Sequence, residues 1–264
     1  LKESGYVLLG ELIMVFGFIL MLTLYLNLFR PSIFEKISNL VFIAILILFI
    51  VSLSSIVIKY SSWGIYIIPL TLVPVIIRVF FDSRTALFTH IVTVLIVSLM
   101  VDNAFTFIII QILAGMTAVS GLKDLTARSQ LTQTALFIFI SYTVTYLALE
   151  LFAEGDVMRL HLMPLVYFAI SSLLLLFAYV LIYMFEKIFG LVSSITLVEL
   201  TNINSDLMMR FAEEAPGTFQ HSLQVSNLAT EAAKKITANS LLVRTGALYH
   251  DIGKMKNPEF FIEN

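Results

Sequence analysis

Long apolar runs fill about the first 185 positions of the chain, and polar residues interrupt them only briefly. A transmembrane helix needs roughly 20 apolar residues to cross about 30 Å of hydrocarbon. The pattern therefore predicts seven spans, at residues 9–29, 40–58, 64–81, 86–101, 104–120, 133–153 and 162–185. Only Asp102 and Asn103 separate the fourth segment from the fifth, so a re-entrant pair is the alternative, although the segment lengths favour two spans.

The pattern becomes amphipathic after residue 187. Apolar residues then recur at helical spacing, which predicts one or two helices leading out of the membrane. The residues of this stripe are Leu191, Ile195, Leu197, Leu200, Ile203, Leu207, Met208 and Phe211. Two interpretations stay open for this stretch: a signalling linker or dimer seam, and helices that pack on their own domain.

A Pro-Gly pair ends the stripe and opens a short polar tail. Pro216-Gly217 stops the preceding helix, and Thr218 is predicted to cap a new helix over residues 219–236. The residues expected to face inward on this helix are Leu223, Val225, Leu228, Ala232 and Ile236.

A second helix is predicted in the tail after a capped turn at residues 237–240. It runs from residue 241 to about Asp251, and Gly253 is expected to end it. His221 falls in the first turn of the earlier helix, whereas His250 and Asp251 lie at the end of the later one. Because two antiparallel helices bring such ends together, these three side chains are expected to meet.

The composition supports a membrane protein that is part of a longer one. Of the 264 residues, 59% are hydrophobic and 13% are charged, whereas a soluble domain carries about 25% charged residues. The mean hydropathy is +0.97. No charged leader with a cleavage site precedes the first apolar segment, so we interpret it as a span and not as a signal peptide. The chain begins at Leu1 and stops at Asn264 without tapering, so we expect both ends to be cuts.

The charged residues between the spans predict the orientation. At alternate span ends, one side carries six Lys or Arg residues and the other carries two, Lys59 and Arg159. The six are Arg30, Lys36, Arg84, Lys123, Arg128 and Lys187. Because positive loops stay in the cytoplasm, the N-terminus is predicted outside the cell membrane and the tail inside. The net charge of −2 gives no surface for a nucleic-acid polymer.

A few polar residues fall within the predicted spans, namely Glu11, Arg78, His90, Gln111 and Glu150. They indicate either a ligand pocket or proton path, or side chains that pair or reach a nearby interface. Pro69 and Pro74 are expected to kink the third span. The spans show no inverted repeat, and no two of them are interrupted by glycine, as the discontinuous helices of many transporters are. Both observations disfavour a transporter.

The tail carries residue types that suit metal-dependent phosphate chemistry. The chain has no cysteine, so a metal there must bind imidazole and carboxylate, ligands that suit Mn, Fe, Zn or Ni. His221, His250 and Asp251 are such ligands, and a carboxylate can bridge two metals that together generate hydroxide. Lys254 would meet a phosphate oxygen as a point charge, and Lys256 is expected to be more exposed and to contribute less.

Residues 213–223 (EEAPGTFQHSL) and 246–264 (GALYHDIGKMKNPEFFIEN) closely resemble the bacterial seven-transmembrane HD-domain proteins, and the seven spans upstream fit the same family. Members of this kind are phosphodiesterases that hydrolyse cyclic di-AMP to linear pApA. With the hydropathy pattern, the resemblance implies an all-α chain. A seven-helix transmembrane bundle (1–187) leads through a cytoplasmic helical linker (188–215) into the N-terminal part of a helical HD phosphohydrolase domain (216–264). A large extracytoplasmic domain is implied before the first span.

The resemblance also implies the roles of the site residues. His221, His250 and Asp251 match metal ligands, with Asp251 bridging two divalent ions, manganese or iron. Asp251 and Lys254 form the catalytic set, and Lys254 binds the substrate phosphate. Many relatives have His in place of Gln220, but the ligand is the second residue of that pair.

The predicted function is that of a membrane-anchored cyclic dinucleotide phosphodiesterase under the control of its sensor half. Its partners are the nucleotide substrate, membrane lipid and a second copy in a homodimer. The family has further metal ligands at positions that would follow Asn264. We therefore expect these 264 residues alone to be inactive, although the full-length protein is expected to be an enzyme. The alternative is a membrane receptor whose HD domain binds a nucleotide or partner without catalysis, and a transporter ranks below both. No residue of this stretch reads adenine.

Overall fold

The computed structural model describes residues 2–61, 63–122, 128–155 and 162–264. The chain forms two compact units, Leu1–Leu191 and Val192–Asn264. Every regular element among the described residues is helical, which confirms the all-α prediction. The three-part division at residues 187 and 215 stays a prediction.

The described part of the first unit consists of helices. The α-helices are α1 (Lys2–Phe29), α2 (Pro31–Phe34), α3 (Ile37–Tyr60), α4 (Leu72–Phe80), α5 (Ser83–Ser98), α6 (Ala104–Gly121), α7 (Arg128–Glu154), α8 (Met163–Leu174) and α9 (Ala178–Phe189). Short 3-10 helices lie at Ile65–Ile67 and Leu175–Phe177.

The seven predicted spans all fall on apolar helical segments of this unit. By length and composition, five segments can cross a membrane: Gly5–Phe29, Ile37–Tyr60, Ala104–Gly121, Gln130–Ala153 and Met163–Phe189. The other two, Ile65–Phe80 and Ser83–Ser98, are shorter. The 16 residues of α5 rise by about 24 Å, which is less than the roughly 30 Å of a hydrocarbon core.

The two short helices are largely buried. Seven of the nine residues of α4 and ten of the 16 residues of α5 are buried. Helix α5 packs against α1, α3, α4 and α6, so the longer helices surround it. Because protein replaces lipid around α4 and α5, their length is set by packing against neighbours more than by the hydrocarbon thickness.

The third predicted span is interrupted rather than kinked at its prolines. Helix α4 begins only at Leu72, after an irregular stretch that contains Pro69. Pro74 lies in the first turn of α4, where a backbone N–H has no partner within the helix and its absence costs little. The expected kink is therefore wrong, because Pro69 precedes the helix and Pro74 opens it.

A buried polar cluster connects α5, α6 and α7. The His90 Nε2 atom lies 2.8 Å from the backbone carbonyl oxygen of Gln111. The hydroxyl of Tyr142 donates to the side-chain oxygen of Gln111 at 2.8 Å. All three residues are almost wholly buried. Polar groups at membrane depth are costly unless paired, so these bonds favour one arrangement of the three helices.

Gly115 provides the space that His90 occupies. A Cβ atom at position 115 would overlap the imidazole carbon Cδ2 and nitrogen Nε2 of His90. Gly115 lies one turn after Gln111 on α6. Because Gly115 has no side chain, the His90 ring can reach the carbonyl of Gln111.

An ion pair joins the end of α1 to the start of α5. The Arg30 guanidinium donates two hydrogen bonds to the Asp82 carboxylate, at 2.7 and 3.0 Å. Asp82 also accepts from the backbone N–H groups of Arg84 and Thr85 and so caps α5. Burial raises the pKa of Asp82, but the bonds from Arg30 and Thr85 outweigh burial and lower the pKa to about 2. The carboxylate stabilises the fold above its ordinary pKa near 4 and stops doing so as pH falls through about 2.

We expect Gly115→Ala to destabilise the first unit by about 1–3 kcal/mol, because the added methyl group displaces the His90 ring from a packed interior. Thermal unfolding in detergent measures the effect. Gly17→Ala is the matched control, since position 17 of α1 has open space around it and alanine favours a helix. Equal unfolding temperatures for the two variants would contradict this account.

The second unit contains four α-helices and two short 3-10 helices. These are α10 (Ser194–Leu200), α11 (Asp206–Glu214), α12 (Pro216–Lys235), α13 (Ser240–Tyr249) and the 3-10 helices Ile252–Lys256 and Pro258–Phe260. We call the buried residues at its centre the tail core, namely Met208, Phe211, Ala215, Phe219 and Leu248.

The amphipathic stripe packs in part on its own domain. Leu197, Met208 and Phe211 are buried, with α10 against α13 and α11 against α12. Leu200 and Leu207 stay exposed. The interpretation as packing helices is thus confirmed for the buried half, and the dimer seam stays a prediction for the exposed half.

Helix α12 begins earlier than predicted. Pro216 occupies its first turn, and no side chain caps it. Thr218 is therefore not the cap but a buried residue inside the helix, and His221 lies in the second turn and not the first. Proline suits this place because its fixed φ is helical and its missing N–H is not needed there.

The predicted inward face of α12 is only partly correct. Leu223 packs against the tail core as predicted, but Ala232 is exposed, and Leu228 and Ile236 are each 74% exposed. The buried positions are Thr218, Phe219, Ser222, Ser226, Thr230 and Ala233. The sequence pattern failed here because small hydroxyl residues form the packed face. Their polarity is hidden, since the hydroxyls of Ser226 and Thr230 donate to carbonyls of the same helix.

The cap before α13 is confirmed, but the predicted end is not. The side chain of Asn239 accepts a hydrogen bond from the backbone N–H of Leu242 at 3.0 Å. Helix α13 ends at Tyr249, and Gly253 lies within the following 3-10 helix instead of stopping α13.

Candidate metal centre

The α12–α13 pair places the three predicted ligands together. His221 lies on α12, His250 is the C-cap of α13, and Asp251 follows it. Only the four residues 236–239 separate the two helices. The helices therefore run antiparallel, and the beginning of α12 meets the end of α13.

Small side chains are buried on both of these helices. Ser222 and Ser226 are buried on α12, and Thr245 is buried on α13. The Thr245 hydroxyl donates to the carbonyl of Leu241 at 2.9 Å and also lies 3.4 Å from the carbonyl of Leu197 on α10. Close helix packing is what holds His221 at a fixed distance from His250.

The ligand atoms of the three residues form a compact group. One atom each from His221, His250 and Asp251 lies within 4.8 Å of the other two. The two imidazole centroids are 5.8 Å apart, and the rings are tilted by 58°. The His250 Nε2 atom is 3.4 Å from an oxygen of Asp251. The side chains are partly exposed, so a substrate can reach them.

A backbone carbonyl orients the His250 ring. The Nδ1 atom of His250 lies 2.7 Å from the carbonyl oxygen of Ala247, one turn earlier in α13. We assign the proton to Nδ1, because only a protonated nitrogen can donate to that carbonyl. The Nε2 atom then carries the free lone pair, and this is the nitrogen that faces Asp251.

Lys254 lies beside the group and contacts two carboxylates. Its ammonium nitrogen is 2.8 Å from an oxygen of Asp251 and 2.9 Å from an oxygen of Glu263. It also lies 4.7 Å from the centroid of the Phe261 ring. The hydrogen bonds to Asp251 and then Glu263 raise the pKa of Lys254. The bond from Lys254 lowers the pKa of Glu263.

Residues 263 and 264 fold back onto the start of α12 and make a clasp, which we define as Glu263, Asn264 and Thr218. The Asn264 side chain accepts from the Thr218 backbone N–H and donates to the Thr218 hydroxyl, each at 2.9 Å. That hydroxyl donates to Glu263 at 3.2 Å. Gly217 permits this approach, because a Cβ there would overlap the backbone carbonyl of Glu263.

The structure thus brings together all four predicted site residues, His221, His250, Asp251 and Lys254. Sequence reasoning missed Glu263, which contacts Lys254. A signal was present in the Glu-Asn pair that ends the quoted motif, but its distance of nine residues from Lys254 gives no periodic relation. Lys256 is exposed, as expected.

The geometry agrees with what comparison with known proteins shows. Residues 6–193 match the family described as a 7TM receptor with an intracellular HD hydrolase, and residues 218–264 match the HD domain. The first match covers well over half of the chain. The chain therefore belongs to this family of multi-pass membrane proteins.

Two curated relatives carry the same name, cyclic-di-AMP phosphodiesterase PgpH. The protein of Bacillus subtilis is 34% identical over 97% of the chain, and that of Listeria monocytogenes is 34% identical over 75%. The matches span only 38% and 28% of those two proteins. An uncharacterized Synechocystis protein is 57% identical over 30% of the chain and 10% of its own length. No solved structure shows a significant match.

The donor set fits a divalent metal, as an HD domain implies. Two imidazoles and a carboxylate are ligands for first-row transition metals. A hydrogen bond such as the one from His250 to the Ala247 carbonyl orients the ring of a metal-binding histidine. His221, His250 and Asp251 are the residues that would hold the metal.

We expect His221→Ala to weaken Mn²⁺ binding by more than the roughly tenfold loss that follows removal of an outer-shell partner. The reason is that the change removes a direct ligand while leaving α12 intact. Electron paramagnetic resonance of free Mn²⁺, in a titration of the full-length protein, measures the affinity.

Gln220→Ala is the matched control, because Gln220 is the exposed neighbour of His221 on α12. Its affinity should equal that of the wild type. If His221→Ala bound Mn²⁺ as tightly as Gln220→Ala, His221 would not be a ligand.

Proposed function

We propose that the full-length protein containing this chain is a membrane-anchored, metal-dependent phosphodiesterase that hydrolyses cyclic di-AMP to pApA. The observation that carries the proposal is the group formed by His221, His250 and Asp251 with Lys254 bonded to Asp251. Its position in an HD domain of the 7TM family supports a hydrolase. The names of the two PgpH relatives support the nucleotide.

The chain's own residues have distinct roles in this proposal. His221, His250 and Asp251 would hold two divalent ions, manganese or iron, and the Nε2 atom of His250 is free to bind one of them. When bound, the metals supply a hydroxide nucleophile and neutralise phosphate charge. Lys254 presents its ammonium group to a phosphate oxygen, and its contact with Asp251 places that charge beside the ligands.

Hydrolysis opens the ring at one phosphodiester. A water oxygen forms a bond to phosphorus, the bond from phosphorus to the 3′ oxygen breaks, and a proton returns to that 3′ oxygen. The product is a linear dinucleotide with a 5′ phosphate. Among the described residues the group offers three ligands, which are few for two metals, so we expect the 264-residue chain alone to be inactive.

The membrane half is proposed to act as a sensor in the cytoplasmic membrane. The excess of Lys and Arg on one side supports a topology with the N-terminus outside and the HD domain in the cytoplasm. A homodimer is also proposed, with the exposed Leu200, Ile203 and Leu207 as its seam. Leu197 is buried in the second unit and does not belong to that seam.

We expect purified full-length protein with Mn²⁺ to convert cyclic di-AMP to pApA, because its site is built to hold metals beside a phosphate-binding lysine. Chromatography of the nucleotides measures the reaction. The double variant His250→Ala/Asp251→Ala should lose at least about 10³-fold in rate, since it lacks two ligands.

Cyclic di-GMP, offered in parallel, tests the nucleotide. Faster hydrolysis of cyclic di-GMP would contradict the substrate but not the chemistry. Tight binding of cyclic di-AMP by metal-loaded protein without any turnover would make the protein a receptor and overturn the proposed activity.

The orientation predicts which residues a membrane-impermeant maleimide labels in intact cells. The chain has no cysteine, so single cysteines can be introduced cleanly once any in the rest of the protein are removed. Trp63→Cys, after α3, should be labelled because it lies outside. Lys256→Cys should be labelled only after lysis, and the reverse pattern would invert the topology.

A further inference from the structure

Glu263 has no role in the mechanism above, yet its carboxylate touches the predicted phosphate-binding lysine. Lys254 lies between two carboxylate oxygens, 2.8 Å from Asp251 and 2.9 Å from Glu263. The Asp251 oxygen that Lys254 contacts, Oδ2, is also the one 3.4 Å from the Nε2 atom of His250. A metal ion held through this oxygen would therefore compete with the ammonium group for it.

We propose that Glu263 is a positioning residue that holds the Lys254 ammonium beside the metal centre and so keeps Asp251 available as a metal ligand. This inference rests on the metal-dependent function proposed above. Glu263 gives Lys254 a second anionic partner. When a cation binds Asp251, Lys254 can leave Asp251 and keep its bond to Glu263.

The balance of charge supports the same role. Asp251, Glu263 and Lys254 sum to a formal charge of −1, which attracts a divalent cation. Without the carboxylate at position 263, the sum for Asp251 and Lys254 is zero, and the ammonium has only Asp251 as an ionic partner among these groups. Coulomb attraction to a divalent ion is then weaker, and the competing ammonium is held more tightly.

The clasp gives Glu263 a defined position. The Thr218 hydroxyl donates to its carboxylate, and Asn264 binds both the backbone N–H and the hydroxyl of Thr218. Thr218 lies on α12, the helix that carries His221, so the helix of one ligand anchors the residue that holds Lys254. The Glu263 carboxylate is thus bonded to Thr218 as well as to Lys254. A positioning residue needs such a second contact, because its own side chain must be fixed before it can fix another.

The first test is the Mn²⁺ affinity of full-length Glu263→Gln protein, measured without substrate. Glutamine keeps the shape and removes the charge. We expect the affinity to fall about tenfold, as for loss of an outer-shell partner. Glu259→Gln is the matched control, because Glu259 is an exposed glutamate of the preceding 3-10 helix, and its affinity should stay within about twofold of the wild type.

A second variant separates positioning from a structural role. If Glu263 acts by restraining Lys254, then Glu263→Gln should weaken Mn²⁺ binding much less in a Lys254→Met background than in the wild type. If Glu263 only supports the fold, the loss is the same in both backgrounds, and that result overturns the proposal.

The outcomes distinguish this proposal from the proposed function. Equal affinities for Glu263→Gln and Glu259→Gln overturn the role of Glu263 and leave the enzyme intact. A wild type that binds Mn²⁺ but does not hydrolyse cyclic di-AMP overturns the enzyme, while the affinities of the variants still decide the role of Glu263. A wild type that binds no Mn²⁺ overturns both.

Discussion

The close packing of α12 on α13 is the constraint on which the metal centre depends. The two helices pack closely on each other and carry buried small hydroxyl residues. The hydroxyls of Ser226 and Thr230 donate to carbonyls of α12, and that of Thr245 donates to a carbonyl of α13 and lies 3.4 Å from the Leu197 carbonyl of α10. Helix packing thus positions the elements that carry the ligands, and the Ala247 carbonyl orients the His250 ring. A site preorganised in this way avoids a large ordering cost when metal binds.

The tail core also holds α12 and α13 together, because it contains residues of both helices and of α11. Met208 and Phe211 on α11 are buried against Phe219 on α12 and Leu248 on α13. Part of the amphipathic stripe that follows the spans therefore belongs to the same packed unit as the ligands. Some residues of the stripe are buried and others are exposed. Helical periodicity does not distinguish the two kinds of position, so the sequence alone could not decide between a packed helix and a dimer seam.

In the membrane unit, the short helices α4 and α5 pack against longer helices. His90 of α5 pairs with a backbone carbonyl of α6. Hydropathy found both segments because they are apolar, but it cannot tell a helix that faces lipid from one that faces protein. Pro69 indicated from the sequence that the third span would be disturbed. That the disturbance is an irregular stretch followed by a new helix at Leu72 is seen only in the structure.

Sequence alone was enough for the helical class, the seven apolar segments and the proximity of His221, His250, Asp251 and Lys254, because each rests on local composition, local spacing or a short motif. His250, Asp251 and Lys254 are near one another along the chain, so their proximity needs little more than a helix end. The inward face of α12 was partly mispredicted because serine and threonine look polar even where they are buried. Glu263 was missed because its contacts with Thr218 and Lys254 span 45 and nine residues. Contacts of that kind depend on the path of the chain in three dimensions, which no periodicity records.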